Sequence, residues 1–246
     1  MAWDVALTDD DQGTEEHYVI KTNKIKASSS ELDKNTRDAL IMERAGRAPN
    51  SYESNVLTMY QYCANSALVP FASKQTLYKY IQSGRRVGAF EMYHYHLALQ
   101  AARGLYQMQS YKNGKSTCVH GDVTAQQLLL FDPPQDNEED DIPLLQLSDF
   151  NRGKVLKRSV KTKEPCAFRT CGVEHQVSTF RSPEEYMKCA DQSADIDVFA
   201  LGSAFFFLSS GMRPFFEDHF PYKDAKRNIL DGIHPQLPDG YDYRSR

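Results

Sequence analysis

Between residues 127 and 150 two apolar bursts, QLLLF (127–131) and IPLLQLSDF (142–150), flank the stretch DPPQDNEEDD. No other feature constrains the fold as much. Each burst has strand length, while the intervening Pro pair and neighbouring carboxylates, which repel one another, resist burial. The segment therefore reads as two short strands around a solvated insertion. The acidic run lacks the spaced ligands and the Gly of an EF-hand loop, so it is not read as a Ca2+ site.

Upstream, HYVIKTNKI (17–25) alternates as a strand, with Val19 and Ile20 set before Lys21. SSSELDKNTRDALIMERAG (28–46) opens on Ser and Asp, carries Leu40 and Ile41, and stops at Gly46, which reads as a helix. VLTMYQYC (56–63) and SALVPFA (66–72) suit two short strands. From Thr76 the pattern turns helical: TLYKYIQS (76–83) is short, and AFEMYHYHLALQAARGLYQMQSY (89–111) is long, with Phe90, Tyr93, Leu97, Leu105 and Met108 at helix-like spacing. Residues 151–180 are polar with little periodicity, DIDVFALGSAFFFLSSG (195–211) is apolar and of helix length, and KDAKRNILDG (223–232) is a shorter helix. A strand-rich first part followed by a mainly helical one makes this an α+β chain of two lobes, joined near residues 71–74.

A chain of 246 residues at 41% hydrophobic can bury one or two cores. The formal net charge of -4 gives no basic footprint for nucleic acid, which is set aside as a partner. No run of 18 apolar residues occurs, and Met1 leads into acidic sequence, so no membrane segment and no secretory leader are expected. The five cysteines, Cys63, Cys118, Cys166, Cys171 and Cys189, are odd in number and form no CxxC. They read as free thiols of a reducing, cytoplasmic setting, ahead of a Cys166–Cys171 bridge or redox switch.

The residues that carry chemistry lie in VHGDVTAQQLLLF (119–131) and LLQLSDFNRG (144–153). Asp122 and Asp149 each stand at the edge of an apolar strand-like run, where a carboxylate is held rigidly at a cleft. This order and separation resembles the H-R-D-L-x-x-x-N loop and the D-F-G segment of eukaryotic protein kinases. Lys21 in YVIK resembles the lysine of V-A-I-K, and Glu43 in ALIMERAG the helix glutamate that pairs with it. SPEEY (182–186) looks like A-P-E, and DVFALGSAFFFLSSGMRPF (197–215) looks like the family's D-V-W-S-L-G segment. The matches follow the family's order across roughly residues 18–235. The strings HGD, DFNR and FRSPEE also look like divergent kinases of algae and protists, whose kinase domain is in some cases joined to a membrane-spanning segment.

The resemblance implies a bilobal kinase-like fold: a small strand-rich lobe over residues 1–73, incomplete because its glycine-rich loop is missing or degenerate, and a larger mainly helical lobe over 74–246. It implies ATP and Mg2+ as cofactors and a protein as substrate, with the γ-phosphate passed to Ser or Thr and less readily to Tyr. Asp122 is then the catalytic aspartate, Lys21 grips phosphates and is held by Glu43, Asp149 and Gln127 hold metal, and backbone near Phe71 and Ala72 meets adenine. Phosphoryl transfer suits such residues because it rests on positioning and charge neutralisation. The alternative is a pseudokinase, a nucleotide-binding or scaffolding module without turnover.

Several positions depart from the family. Gly121 replaces the Arg of H-R-D, which removes the usual receiver of an activating phosphate. Gln127 replaces Asn and adds a methylene, Thr124 replaces Lys, and Val177 stands where Thr is common. Ala125 with Gln126 is similar to the tyrosine-kinase loop. Asn151 replaces the Gly of D-F-G, at a place where Asn tolerates positive φ. Trp3 is the expected aromatic tip of a phosphate loop lying mostly before Met1, with Asp4 in a glycine position. Glu184 is expected as a partly buried carboxylate lacking its arginine.

Overall fold

The N-terminal alternation becomes a hairpin. In the computed structural model, which describes residues 2–8, 15–22, 28–46, 54–63, 66–83, 90–110, 116–133, 142–171, 178–215 and 222–237, β1 (Ala2–Thr8) pairs antiparallel with β2 (Glu15–Lys21). β2 pairs on its other side with β4 (Ser66–Pro70), and β3 (Gln61–Cys63) joins β4, so the sheet runs β1-β2-β4-β3. Lys21 is opposite Ala2 on one side and Ala67 on the other, which makes it a laddered residue on an interior strand. Trp3 is opposite Ile20, next to the Ala2–Lys21 pair that ends the ladder, so it is a strand residue and not at the tip of a loop.

The helix read from Ser28 to Gly46 forms as α1 (Ser29–Ala45). Ser28 and Glu31 build a reciprocal capping box, and the Gly46 N–H closes the last turn on the Met42 carbonyl. Its buried stripe is Asp38, Ala39, Ile41, Met42 and Ala45, apolar but for one carboxylate. α2 (Leu77–Gln82) is capped by the Thr76 hydroxyl on the Lys79 N–H, and α3 (Phe90–Ser110) buries Leu97, Ala101, Leu105 and Met108.

The two apolar bursts pair as expected. β6 (Leu128–Phe131) runs antiparallel to β7 (Leu144–Leu147) with Leu128 opposite Leu147, while residues 134–141 of the acidic insertion between them fall outside the described residues. β5 (Cys118–Val119) pairs with β8 (Lys154–Val155), and a single 3-10 turn, Phe150–Arg152, connects β7 to β8. α4 (Pro183–Tyr186), the apolar α5 (Asp195–Ser210) and α6 (Tyr222–Leu230) follow. The result is a mixed α and β structure with small antiparallel sheets.

One apolar cluster runs through these elements, from Ile41 and Met42 on α1 and Val69 on β4 to Leu97 and Met108 on α3, Leu130 and Leu147 on the β6–β7 pair, and Phe207 on α5. Each fully buried side chain of this size contributes about 1.5–3 kcal/mol. The run read as a strand at 56–63 pairs in the sheet only over its last three residues. Val56 and Leu57 are buried instead, with Leu57 N–H bonded to the Leu147 carbonyl at 2.8 Å, so burial takes this apolar stretch out of the sheet. Two amides on α3 hold it there: Gln107 Nε2 donates to the Ala45 carbonyl and Ser54 Oγ, and Gln100 Oε1 accepts from Asn55 Nδ2 and the Leu145 N–H. Gly104 of α3 permits the approach, because a Cβ there would come within 2.3 Å of the Asn55 carbonyl oxygen.

The cysteines correct the expectation of scattered free thiols. Cys171 is bonded to Cys189, not to Cys166, while Cys63, Cys118 and Cys166 are free as expected. Phe168 and Gln192 exchange both backbone hydrogen bonds, and Arg169 pairs with Asp191, so the bridge continues a short antiparallel register. Among the described residues no helix is long and apolar enough to cross a membrane.

Cys118 is fully buried, its Sγ donating to the Met108 carbonyl at 3.0 Å, and burial pushes its thiol up to about 12. Iodoacetamide at about pH 8, below that value, is expected to label exposed Cys63 in the folded chain and to spare Cys118. Peptide mass spectrometry should find Cys118 labelled only after unfolding, and Cys171 with Cys189 only after reduction.

Candidate functional site

Lys21 leaves β2 toward α1 and the 3-10 turn. Its Nζ lies 2.8 Å from Asp38 Oδ2 and 3.8 Å from Asp149 Oδ1. Burial acts to lower the Lys21 pKa, but the charges of Asp38 and then Asp149 outweigh it, and the net shift is upward from the ordinary lysine value. The expected partner Glu43 is displaced by Asp38: Glu43 lies five residues further along α1 and is exposed, whereas Asp38 is only 5% exposed. Asp38 is shorter than the expected Glu by one methylene, and it also accepts the Phe150 N–H on Oδ1 at 2.6 Å. One buried carboxylate thus joins the sheet, α1 and the turn that carries Asp149.

Asp149 takes a left-handed backbone, φ 65° and ψ 67°, which is uncommon for a residue with a side chain and marks a position held by its surroundings. The positive φ expected at Asn151 is therefore found at Asp149. Asn151 sits inside the 3-10 turn, where its Nδ2 donates to Asp149 Oδ1 at 2.6 Å.

The segment bearing Asp122 is held by its backbone. Asp197, on the first turn of α5 and 1% exposed, accepts the N–H groups of His120 at 2.7 Å and Gly121 at 2.8 Å on its two oxygens. Gln109 Nε2 adds a third donor at 3.3 Å. Burial pushes the Asp197 carboxyl up from the usual range, opposed by the His120 ring and these N–H donors. His120 is fully buried with its ring 5.1 Å from that of Phe150. Its Nδ1 accepts the Asp122 N–H at 3.2 Å, which makes Nε2 the donor to the Ser148 carbonyl at 3.0 Å. Gly121 has φ +72°, where a side chain costs about 1–2 kcal/mol; a Cβ would only touch the Arg152 carbonyl at 3.4 Å, so backbone angle and not crowding suits glycine here.

Asp122 opens onto a cleft lined by Gly121, Thr124, Ser178, Phe180 and Arg181 among others. Both of its ion pairs fall on Oδ1: Arg152 Nη1 at 3.2 Å and Arg181 Nη2 at 3.5 Å. Arg181 also holds Glu185 at 2.7 Å, with side-chain exposures of 6% and 7%. Burial raises the Glu185 carboxyl from its ordinary value, and Arg181 opposes that shift. This revises the reading of SPEEY: the buried carboxylate is Glu185 and it has an arginine, while Glu184 is exposed.

Gln127 lies against the Asp149 segment, its backbone carbonyl accepting the Ser148 N–H at 2.8 Å and Ser148 Oγ at 2.9 Å. Ala72 lies just past β4, with Phe71 between, and its carbonyl is taken by the Gln75 N–H at 3.1 Å. Val177 lies outside the described residues. The structure thus brings Lys21 to Asp149 and secures the backbone of Asp122 and Gln127 beside them. Asp38, Asp197, Arg152 and Arg181 were not singled out from sequence, although Asp38 and Asp197 show one usable signal: a lone acidic residue on an otherwise apolar helix stripe.

Among the described residues, no group of three or more His, Cys, Asp or Glu side chains is arranged to hold a metal ion. Comparison of the chain with protein-family models and with curated proteins finds no match.

Asp38→Ala removes the acceptor of both a partly buried ammonium and a buried N–H. The expected cost is about 3–5 kcal/mol, against within about 0.5 kcal/mol for exposed Glu43→Gln. Urea unfolding of the two variants separates these outcomes, and equal stabilities would reassign the lysine's partner.

Proposed function

We propose that this chain is a protein kinase catalytic domain of bilobal type, transferring the γ-phosphate of ATP to Ser or Thr hydroxyls of a protein substrate. The observation that carries the reading is the association of Lys21, Asp149 and the Asp122 segment, 128 residues apart at most in sequence, through three buried polar groups: Asp38, His120 and Asp197. Buried polar side chains are costly unless hydrogen-bonded or paired, and each of these three is bonded to one of the segments that carry the candidate residues.

Each residue has a role that its surroundings support. Lys21, kept charged by two carboxylates, suits the α and β phosphates as a point charge. Asp149 and the Gln127 amide offer hard oxygen donors of the kind Mg2+ takes. Two protein ligands suffice for an ion that keeps waters and shares phosphate oxygens, so the donor set fits despite the lack of a three-residue cluster. When bound, the ion neutralises phosphate charge. Asp122, anchored through Oδ1, is left with Oδ2 to accept from or orient the acceptor hydroxyl. Backbone at Ala72, next to β4, is the candidate adenine contact, through its N–H because its carbonyl is already engaged.

A second reading, a pseudokinase that binds nucleotide without turnover, is favoured by the Asn151 amide on Asp149 Oδ1 and by Gln127 in place of Asn. Turnover of ATP with Mg2+ and a mixed peptide acceptor separates the two. Asp122→Asn and Asp149→Asn should each lower kcat by about 100-fold or more. Nucleotide binding by the unaltered chain with no turnover would give the second reading precedence, and absence of both would remove the kinase reading altogether.

A further inference from the structure

We propose that Arg152 is a positioning residue of phosphoryl transfer, fixing the Asp122 carboxylate from behind and setting its distance from the Asp149 turn; this rests on the kinase reading above. The transfer needs two carboxylates side by side, one facing phosphate and one facing the acceptor. Like charges that close repel each other and the phosphates, and a cation paired with one of them weakens that repulsion. Thr124, near Asp122 in the cleft wall, brings no charge.

Arg152 is such a cation by its place in the chain. It ends the 3-10 turn that starts at Phe150, three residues after Asp149, and its Nη1 reaches 3.2 Å from Asp122 Oδ1. The turn itself is pinned, since the Phe150 N–H is bonded to Asp38. A rigid turn with a planar guanidinium at its end converts the position of one carboxylate into the position of the other.

Arg181 touches the same oxygen but is committed elsewhere: its side chain is 6% exposed and it holds Glu185. The Arg152 side chain is 32% exposed, and Arg152 is not among the residues lining the cleft, so it acts through Asp122 and leaves the acceptor's space open. Its positive field also extends past Asp122. Burial, and after it the charges of Arg37 and Arg152, push Lys154 down from the ordinary lysine value.

The test uses the whole chain with ATP, Mg2+ and an acceptor peptide, comparing the unaltered protein with Arg152→Lys, Arg152→Gln and Arg152→Ala. Arg152→Gln should lose about 100-fold in kcat for the peptide, with the KM for ATP within about twofold, because only the positioning of the acceptor-side carboxylate is lost. Arg152→Lys should fall between, and millimolar guanidinium ion should restore part of the kcat of Arg152→Ala while leaving the unaltered chain unchanged. A fold defect cannot mimic that rescue. Unchanged kcat in Arg152→Gln, or a rise in KM with no guanidinium rescue, overturns the assignment of Arg152 while the kinase reading stands. No turnover by the unaltered chain overturns both.

Discussion

The carboxylate of Asp38 is the point on which the site depends. It divides its two oxygens between an ammonium on an interior strand of the sheet and a backbone N–H in the turn after β7. A buried carboxylate is tolerated only when such partners are in place, so the helix, the strand and the turn have to arrive together. The aspartate is short, which means the approach has to be close. The crowding at Gly153, where a Cβ would stand 2.5 Å from Ile41 Cδ1, shows how near α1 comes to that turn.

A second buried carboxylate repeats the logic on the other side. Asp197 is on a mainly apolar helix, and it grips two backbone N–H groups, with the Gln109 amide as a third donor. Fixing two successive N–H groups fixes the direction in which the next residue, Asp122, leaves the chain. His120 then links that segment to Ser148, one residue before Asp149. Acidic groups at the heart of the molecule therefore set geometry, while Asp122 and Asp149 stay more exposed.

Much of the element pattern was legible because it is local. The capping box at Ser28, the Thr76 cap, the paired apolar bursts and the apolar α5 all follow from neighbours in sequence. Long-range partners were not legible. Glu43 and Asp38 both lie on one helix, and choosing between them requires knowing which side faces β2, a fact that Ile41 and Met42 hint at by sharing a face with Asp38. The same limit applies to Glu184 and Glu185, adjacent carboxylates separated by which way a single turn of helix is rotated. The disulfide partner of Cys171 was likewise a matter of tertiary approach, since Cys189 stands at a sequence separation of 18. Asn151 was read for backbone freedom, yet it is Asp149 and Gly121 that take a positive φ.

The Cys171–Cys189 bond has one more consequence. It closes a ring of chain, and that ring contains Ser178, Phe180, Arg181 and Glu185, four of the residues lining the cleft beside Asp122. One wall of the cleft is therefore a covalent hoop anchored at both ends on the same short register. A cut in the backbone between residues 178 and 188 would leave both new ends tethered to the body of the molecule, so this wall behaves toward proteases and toward mechanical load as a loop that can be opened but not shed.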